Sequence, residues 1–308
     1  MRSVTNVNRT ACLIAAALSV GLARVAAQAP TPPAPVLPDH FFDSNGVQIR
    51  YVEQGQGAPV VLIHGYTGTL DRHWIAPGVF ADLAKDHRVI AVDCRGHGKS
   101  GKPHHAAAYG SEMAQDIVRL LDHLEIPRAH IVGYSMGAII AGHLLTTNPD
   151  RIMTAALVAH PAVHTWTPAD QQEAEASARE LEGDTPFKSL VVALTPPGAK
   201  PPSNEEIRKV TQPLVDRNDL KALAAYNRGR RGLVVTETAL SAVRVPTLGI
   251  IGSADPTVEG MRTLGKVMPA IEVVVLEGAE HGGERGVLRR PEFLPTLRKF
   301  LNSAQTRQ

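Results

Sequence analysis

The segment Gly133-Tyr134-Ser135-Met136-Gly137 constrains this chain more than any other stretch of it. It closes the apolar, β-prone run 130–134 and leads without a loop into the helical pattern 136–147, which Asn148-Pro149 ends. A strand that becomes a helix across one residue holds that residue in a strained conformation, and it needs glycine where the two backbones approach. Such a turn presents the Ser135 hydroxyl at the carboxyl edge of a sheet. The pentapeptide alone recurs in unrelated sequences; its weight here comes from the strand before it and the helix after it.

The rest of the chain alternates as a parallel sheet with crossover helices requires. Residues 41–52 read as a hairpin turning at Ser44-Asn45-Gly46. Further strands are expected over 59–64, 88–93, 154–159, 246–252 and 271–276, and helices over 71–85, 111–124 and 291–301. Between His160 and Val245 the pattern changes to helical stretches near 168–181, 203–210 and 216–226, separated by the proline-rich run 195–202. That region reads as an insertion lying over the sheet. At 308 residues and 44% hydrophobic, with no internal repeat or long linker in its body, the chain is read as one elaborated domain.

The N-terminus reads as an export signal over 1–27. Arg2 and Arg9 precede a short apolar run at 11–20, and cleavage is expected after Ala27 in Val25-Ala26-Ala27. The run is too short to span a bilayer and Arg24 closes it, so no stable membrane anchor is expected after cleavage and the product is periplasmic or secreted. A proline-rich tether, 28–39, follows. Loss of the leader takes the formal charge from +2 to −1, a balance that gives no reason to expect a nucleic-acid partner. Cys94 is then the remaining cysteine, expected as buried filler with no intramolecular disulfide. No spaced His/Cys/Asp cluster suggests a metal, no cofactor is expected, and the sequence sets no oligomeric state.

A serine nucleophile needs a base, and the base needs an orienting acid. Asp255, in Ser253-Ala254-Asp255-Pro256 after the strand 247–252, is the candidate acid. His281, in Gly278-Ala279-Glu280-His281-Gly282-Gly283 after the last strand, is the candidate base and the sole histidine C-terminal to Asp255. Asp93 is a rival acid, but it follows an earlier strand and is expected to shape the turn Asp93-Cys94-Arg95-Gly96-His97-Gly98. His64 and His97 are read as loop packing, and His143 as helix surface or core. The tetrahedral intermediate requires two N–H donors: Met136, just after the nucleophile, and Tyr66, in the loop Ile63-His64-Gly65-Tyr66-Thr67-Gly68, are expected to supply them. Apolar residues of the insertion, Trp166, Phe187 and Tyr226 among them, are candidates to line the substrate pocket.

These motifs, His64-Gly65 after a strand, the 93–98 turn, the turn at Ser135, Gly252-Ser253-Ala254-Asp255-Pro256 and His281, resemble the α/β-hydrolase superfamily over roughly residues 41–301. The resemblance implies a mostly parallel eight-stranded sheet with helices on both faces and a helical cap: core over 40–161 and 245–308, cap over 162–244. It implies acyl transfer on carboxylic esters, as in carboxylesterases; with aromatic residues at 4% and no aromatic-rich groove, small to medium esters are expected. The same triad would also serve carbon-carbon hydrolases of ring-cleavage products, whereas a catalytically inactive binding module would be expected to lack a triad member. Haloalkane dehalogenases and epoxide hydrolases are similar in arrangement but place aspartate where this chain has Ser135. Glu280 departs from the small residue common before the histidine; it is expected either to perturb His281 or to face solvent.

Overall fold

The chain enters its sheet through a hairpin in which β1 (His40–Ser44) and β2 (Val47–Gln54) pair antiparallel across a turn that puts Asn45 and Gly46 at positive φ. The computed structural model describes residues 37–193 and 202–305; the expected leader, most of the tether and residues 194–201, which hold all but the last residue of the proline-rich run, lie outside them. β3 (Pro59–Ile63) follows the hairpin. The single helix expected over 71–85 is instead a π-helical segment, Asp71–Ile75, and the short α1 (Val79–Leu83). Pro77 has no N–H to continue the first, and Gly78 at φ +82° starts the second from a left-handed residue. β4 (Arg88–Val92), α2 (Ser111–His123), β5 (Ala129–Tyr134), α3 (Met136–Thr147) and β6 (Ile152–Val158) then alternate as the hydrophobic periods require.

The insertion is helical: α4 (Pro168–Leu181), α5 (Lys188–Ala193), α6 (Asn204–Arg217) and α7 (Leu220–Gly229). Thr167 with Asp170 and Ser203 with Glu206 form reciprocal caps that start α4 and α6. α6 carries on through Pro213, past the expected end near 210. α8 (Glu237–Ala242) packs on α3 and on α9 (Val258–Val267), which lies between β7 (Thr247–Gly252) and β8 (Ile271–Leu276), before the closing α10 (Phe293–Gln305). No helix is expected at α9 from the residue pattern, because Gly260 and Gly265 dilute its helical signal.

The strands form one eight-stranded sheet in the order β1-β2-β4-β3-β5-β6-β7-β8, parallel from β4 onward. Successive strand residues alternate faces, so each buried strand feeds two cores. Val61, Ile63, Ile131 and Leu157 pack with α2 and α3 on one side, while Val60, Leu62, Val132 and Val158 pack with α1 and α10 on the other. A third cluster holds the insertion together through Leu181, Phe187 and Leu223, with Tyr66 of the core packed against it. Parallel register sets Ile63 beside Gly133, Gly133 beside Leu157 and Gly252 beside Leu276, so the loops that follow these strands share one sheet edge.

Candidate active site

Ser135 sits at φ +54° and ψ −113°, between β5 and α3, a conformation an L-residue holds only under constraint. The constraint is visible in its neighbours. A Cβ on Gly133 would lie 2.0 Å from the Gly137 carbonyl oxygen, and one on Gly137 would lie 2.1 Å from that of Ile63. Helix and strands therefore meet backbone to backbone, and the serine N–H is tied to the Val158 carbonyl at 2.8 Å.

His281 Nε2 lies 2.9 Å from Ser135 Oγ, and its Nδ1 lies 2.8 Å from Asp255 Oδ2. The carboxylate fixes the proton on Nδ1 and leaves the Nε2 lone pair facing the serine hydroxyl. Asp255 is buried, yet its carboxyl is held below the usual range: burial pushes it up, and the contact with His281 and two hydrogen bonds from Thr257 outweigh that. Both Thr257 N–H and O–H donate to Oδ1 at 2.8 Å. The Tyr134 hydroxyl donates to the His281 carbonyl at 2.7 Å, joining the turn to the histidine loop. Glu280 forms an ion pair with Arg285, while its backbone accepts from Val287 and donates to Arg285. It therefore braces the loop that carries His281.

Met136 and Tyr66 both border the cavity beside Ser135, as does Phe187. The Gly65 carbonyl accepts from His64 Nδ1 at 2.8 Å and from the Gly68 N–H at 3.0 Å, and the Gly65 N–H donates to His73 Nδ1 at 3.1 Å. The Tyr66 hydroxyl accepts from Asn227 of α7 at 3.3 Å, and its ring packs 5.3 Å from that of Tyr226. Core loop and cap thus meet at Tyr66. Asp93, the rival acid, is fully buried and accepts from the N–H groups of Leu70 and Lys99 and from Arg50. It shapes two loops and does not approach His281. His64 and His97 are buried as loop packing, and Cys94 is buried with its thiol pKa pushed up by desolvation.

The cavity beside Ser135 has a volume of about 350 Å³ and runs under the cap, where Glu173, Glu180, Tyr226 and Arg230 border it. Trp166 is not among its walls. It borders an adjoining cavity of about 270 Å³, donating from Nε1 to Gln171, with the Arg230 guanidinium 5.7 Å above its ring. The indole therefore serves as a shelf for Arg230, a role that depends on a residue 64 positions later in the chain. Sequence reasoning missed three residues. Thr257 carried a signal in Asp255-Pro256-Thr257, a short polar turn after a strand. His160, whose Nδ1 donates to the Pro161 carbonyl at 2.7 Å and which borders both cavities, carried one in following β6 at the sheet edge. Arg230 carried none.

Comparison with known proteins places this geometry. Residues 58–188 match a family described as the alpha/beta hydrolase fold. The dihydrolipoyllysine-residue acetyltransferase component of an acetoin cleaving system from Cupriavidus necator is 40% identical over 119 residues, 38% of this chain. The match spans only 31% of that protein, and 30% of its Pseudomonas putida counterpart. Epoxide hydrolase A of Mycobacterium tuberculosis is 27% identical across 87% of this chain and 98% of its own length. A solved thermophilic esterase from Thermogutta terrifontis shares the fold with a TM-score of 0.71 at 23% identity, covering 87% of this chain and 99% of that one. The mostly parallel sheet, the helices on both its faces and these matches lead to one assignment: the chain has the α/β-hydrolase fold.

Proposed function

We propose that the protein is a serine hydrolase, a carboxylesterase that cleaves small to medium esters through an acyl-enzyme on Ser135. The observation that carries this reading is the continuous hydrogen-bonded line from Ser135 Oγ through His281 to Asp255, at 2.9 and 2.8 Å. Ser135 attacks the ester carbonyl as its proton passes to His281 Nε2; the imidazolium, held by Asp255, then protonates the leaving alkoxide. Water activated by the same nitrogen releases the acid. The N–H groups of Met136, at the start of α3, and of Tyr66 are the proposed oxyanion donors, each worth about 3–4 kcal/mol in related chemistry. A serine at the turn supports acyl transfer over epoxide opening, and the cavity size supports a modest ester.

Turnover of p-nitrophenyl esters of increasing acyl length by wild type and Ser135→Ala tests the proposal. The variant should lose about 10³-fold or more in kcat. Equal turnover by both proteins would remove the mechanism, and cleavage of a ring-cleavage product with no ester turnover would move the activity to carbon-carbon hydrolysis. Export to the periplasm or medium is part of the proposal and rests on Arg2, Arg9 and the apolar run 11–20. It requires a secreted form whose first residue is Gln28, read by N-terminal sequencing.

A further inference from the structure

The candidate oxyanion loop leans on a partly buried histidine that the proposed chemistry does not use. His73 belongs to the π-helical segment Asp71–Ile75, which is fixed at both ends: Asp71 pairs with Arg50 at 2.6 Å, and Trp74 is wholly buried. Its ring lies edge-on to Tyr134, with centroids 4.8 Å apart. On its other side Gly68 approaches so closely that a Cβ there would stand 2.1 Å from His73 Cε1. Held between these groups, Nδ1 faces the Gly65 N–H at 3.1 Å.

We propose that His73 is a positioning residue for acyl transfer: its neutral imidazole accepts the Gly65 N–H and thereby fixes the peptide that carries the Tyr66 N–H. The reasoning is geometric. A trans peptide is planar, so the direction of the Tyr66 N–H is set by the Gly65 carbonyl on the opposite side of the same plane. His64 Nδ1 and the Gly68 N–H hold that carbonyl, and His73 holds the N–H at the other end of Gly65. With both ends anchored, a glycine whose backbone would otherwise turn freely has one orientation. An acceptor at Nδ1 requires the proton on Nε2 and a neutral ring. Burial, followed by the nearby His64, Arg72, His281 and His97, lowers the His73 pKa to about 3, so the lone pair is present under ordinary assay conditions.

The inference rests on the serine-hydrolase reading, and its test separates the two. His73→Leu keeps much of the bulk and loses the acceptor, whereas His73→Asn offers an amide oxygen near the position of Nδ1. Both are compared with wild type on p-nitrophenyl butyrate, with kcat and KM resolved, and by inhibition with a trifluoromethyl ketone, whose hemiketal oxyanion would use the same donors. The leucine variant should lose about 10- to 100-fold in kcat and in inhibitor affinity, with KM moving less than about threefold. The asparagine variant should stay within about fivefold of wild type. An unaffected leucine variant, or an asparagine variant as impaired as leucine, overturns the role. If the leucine variant does not fold, His73→Ala with added imidazole gives the same comparison: restored kcat supports the role, and a folded protein that imidazole leaves impaired overturns it. Ser135→Ala is run alongside, because turnover there removes the hydrolase reading itself, while an inactive Ser135→Ala beside an unaffected His73→Leu removes only the role of His73.

Discussion

Replacing Asp255 by asparagine should disable the base without disturbing its surroundings, and the structure says why. Asp255 Oδ1 accepts from the N–H and the hydroxyl of Thr257, both at 2.8 Å, while Oδ2 accepts from His281 Nδ1. The backbone N–H of Thr257 can only donate, so the asparagine side chain will turn its carbonyl oxygen toward Thr257 and its amino group toward His281. Two donors would then face each other across 2.8 Å unless the imidazole proton moves to Nε2. Once it moves, Nε2 has no lone pair for Ser135. The expected loss in kcat at neutral pH is about 10³- to 10⁴-fold, or about 4–5.5 kcal/mol of transition-state stabilisation. KM should change less than about threefold, because the substitution leaves the cavity walls in place. Steady-state hydrolysis of p-nitrophenyl butyrate measures both constants, and pre-steady-state release of p-nitrophenol reports acylation directly. A variant retaining more than about one tenth of wild-type kcat would refute the tautomer argument.

Three further outcomes follow from the packing. Gly137→Ala drives a methyl group into the Ile63 carbonyl and should cost about 1–3 kcal/mol or more, seen as a melting temperature lower by at least a few degrees; an unchanged melting curve would contradict the close approach of α3 and β3. Asp93→Ala leaves Arg50 and two N–H groups without their buried partner and should destabilise the fold by about 3–5 kcal/mol in urea titration, while kcat of the folded fraction stays within about tenfold. A kcat as low as that of Ser135→Ala would restore Asp93 as the catalytic acid. Burial depresses the pKa of His73 and His97 to about 3 and of His130 to about 4, so the unfolded chain binds more protons than the folded one between those values and the ordinary 6.5. The stability each neutral ring contributes is present above pH 6.5 and falls as pH drops toward 4, by up to about 1.4 kcal/mol per pH unit per histidine. Melting temperatures across that range check this, and a flat profile would show that the histidines charge freely in the folded state.

What the sequence determined by itself is the part of the protein governed by short-range rules. Short apolar runs place β3 to β8, the abrupt change of period at Ser135 marks a strand-to-helix turn, and the loops after β7 and β8 point to Asp255 and His281. Each of these signals spans fewer than about ten residues, within the reach of backbone sterics and side-chain periodicity. The tertiary structure decided what depends on residues far apart in the chain meeting across packed elements. It put Trp166 beneath Arg230 and outside the cavity of Ser135, brought His73 against Gly65 and Tyr134, and turned Asp93 toward Arg50 instead of His281. The split of the expected 71–85 helix at Pro77-Gly78 is, by contrast, local: backbone chemistry there overrides a helical hydrophobic pattern. Identity and order of the chemical groups are written locally, while the direction in which each one faces is fixed only when sheet, cap and loops exclude the alternatives.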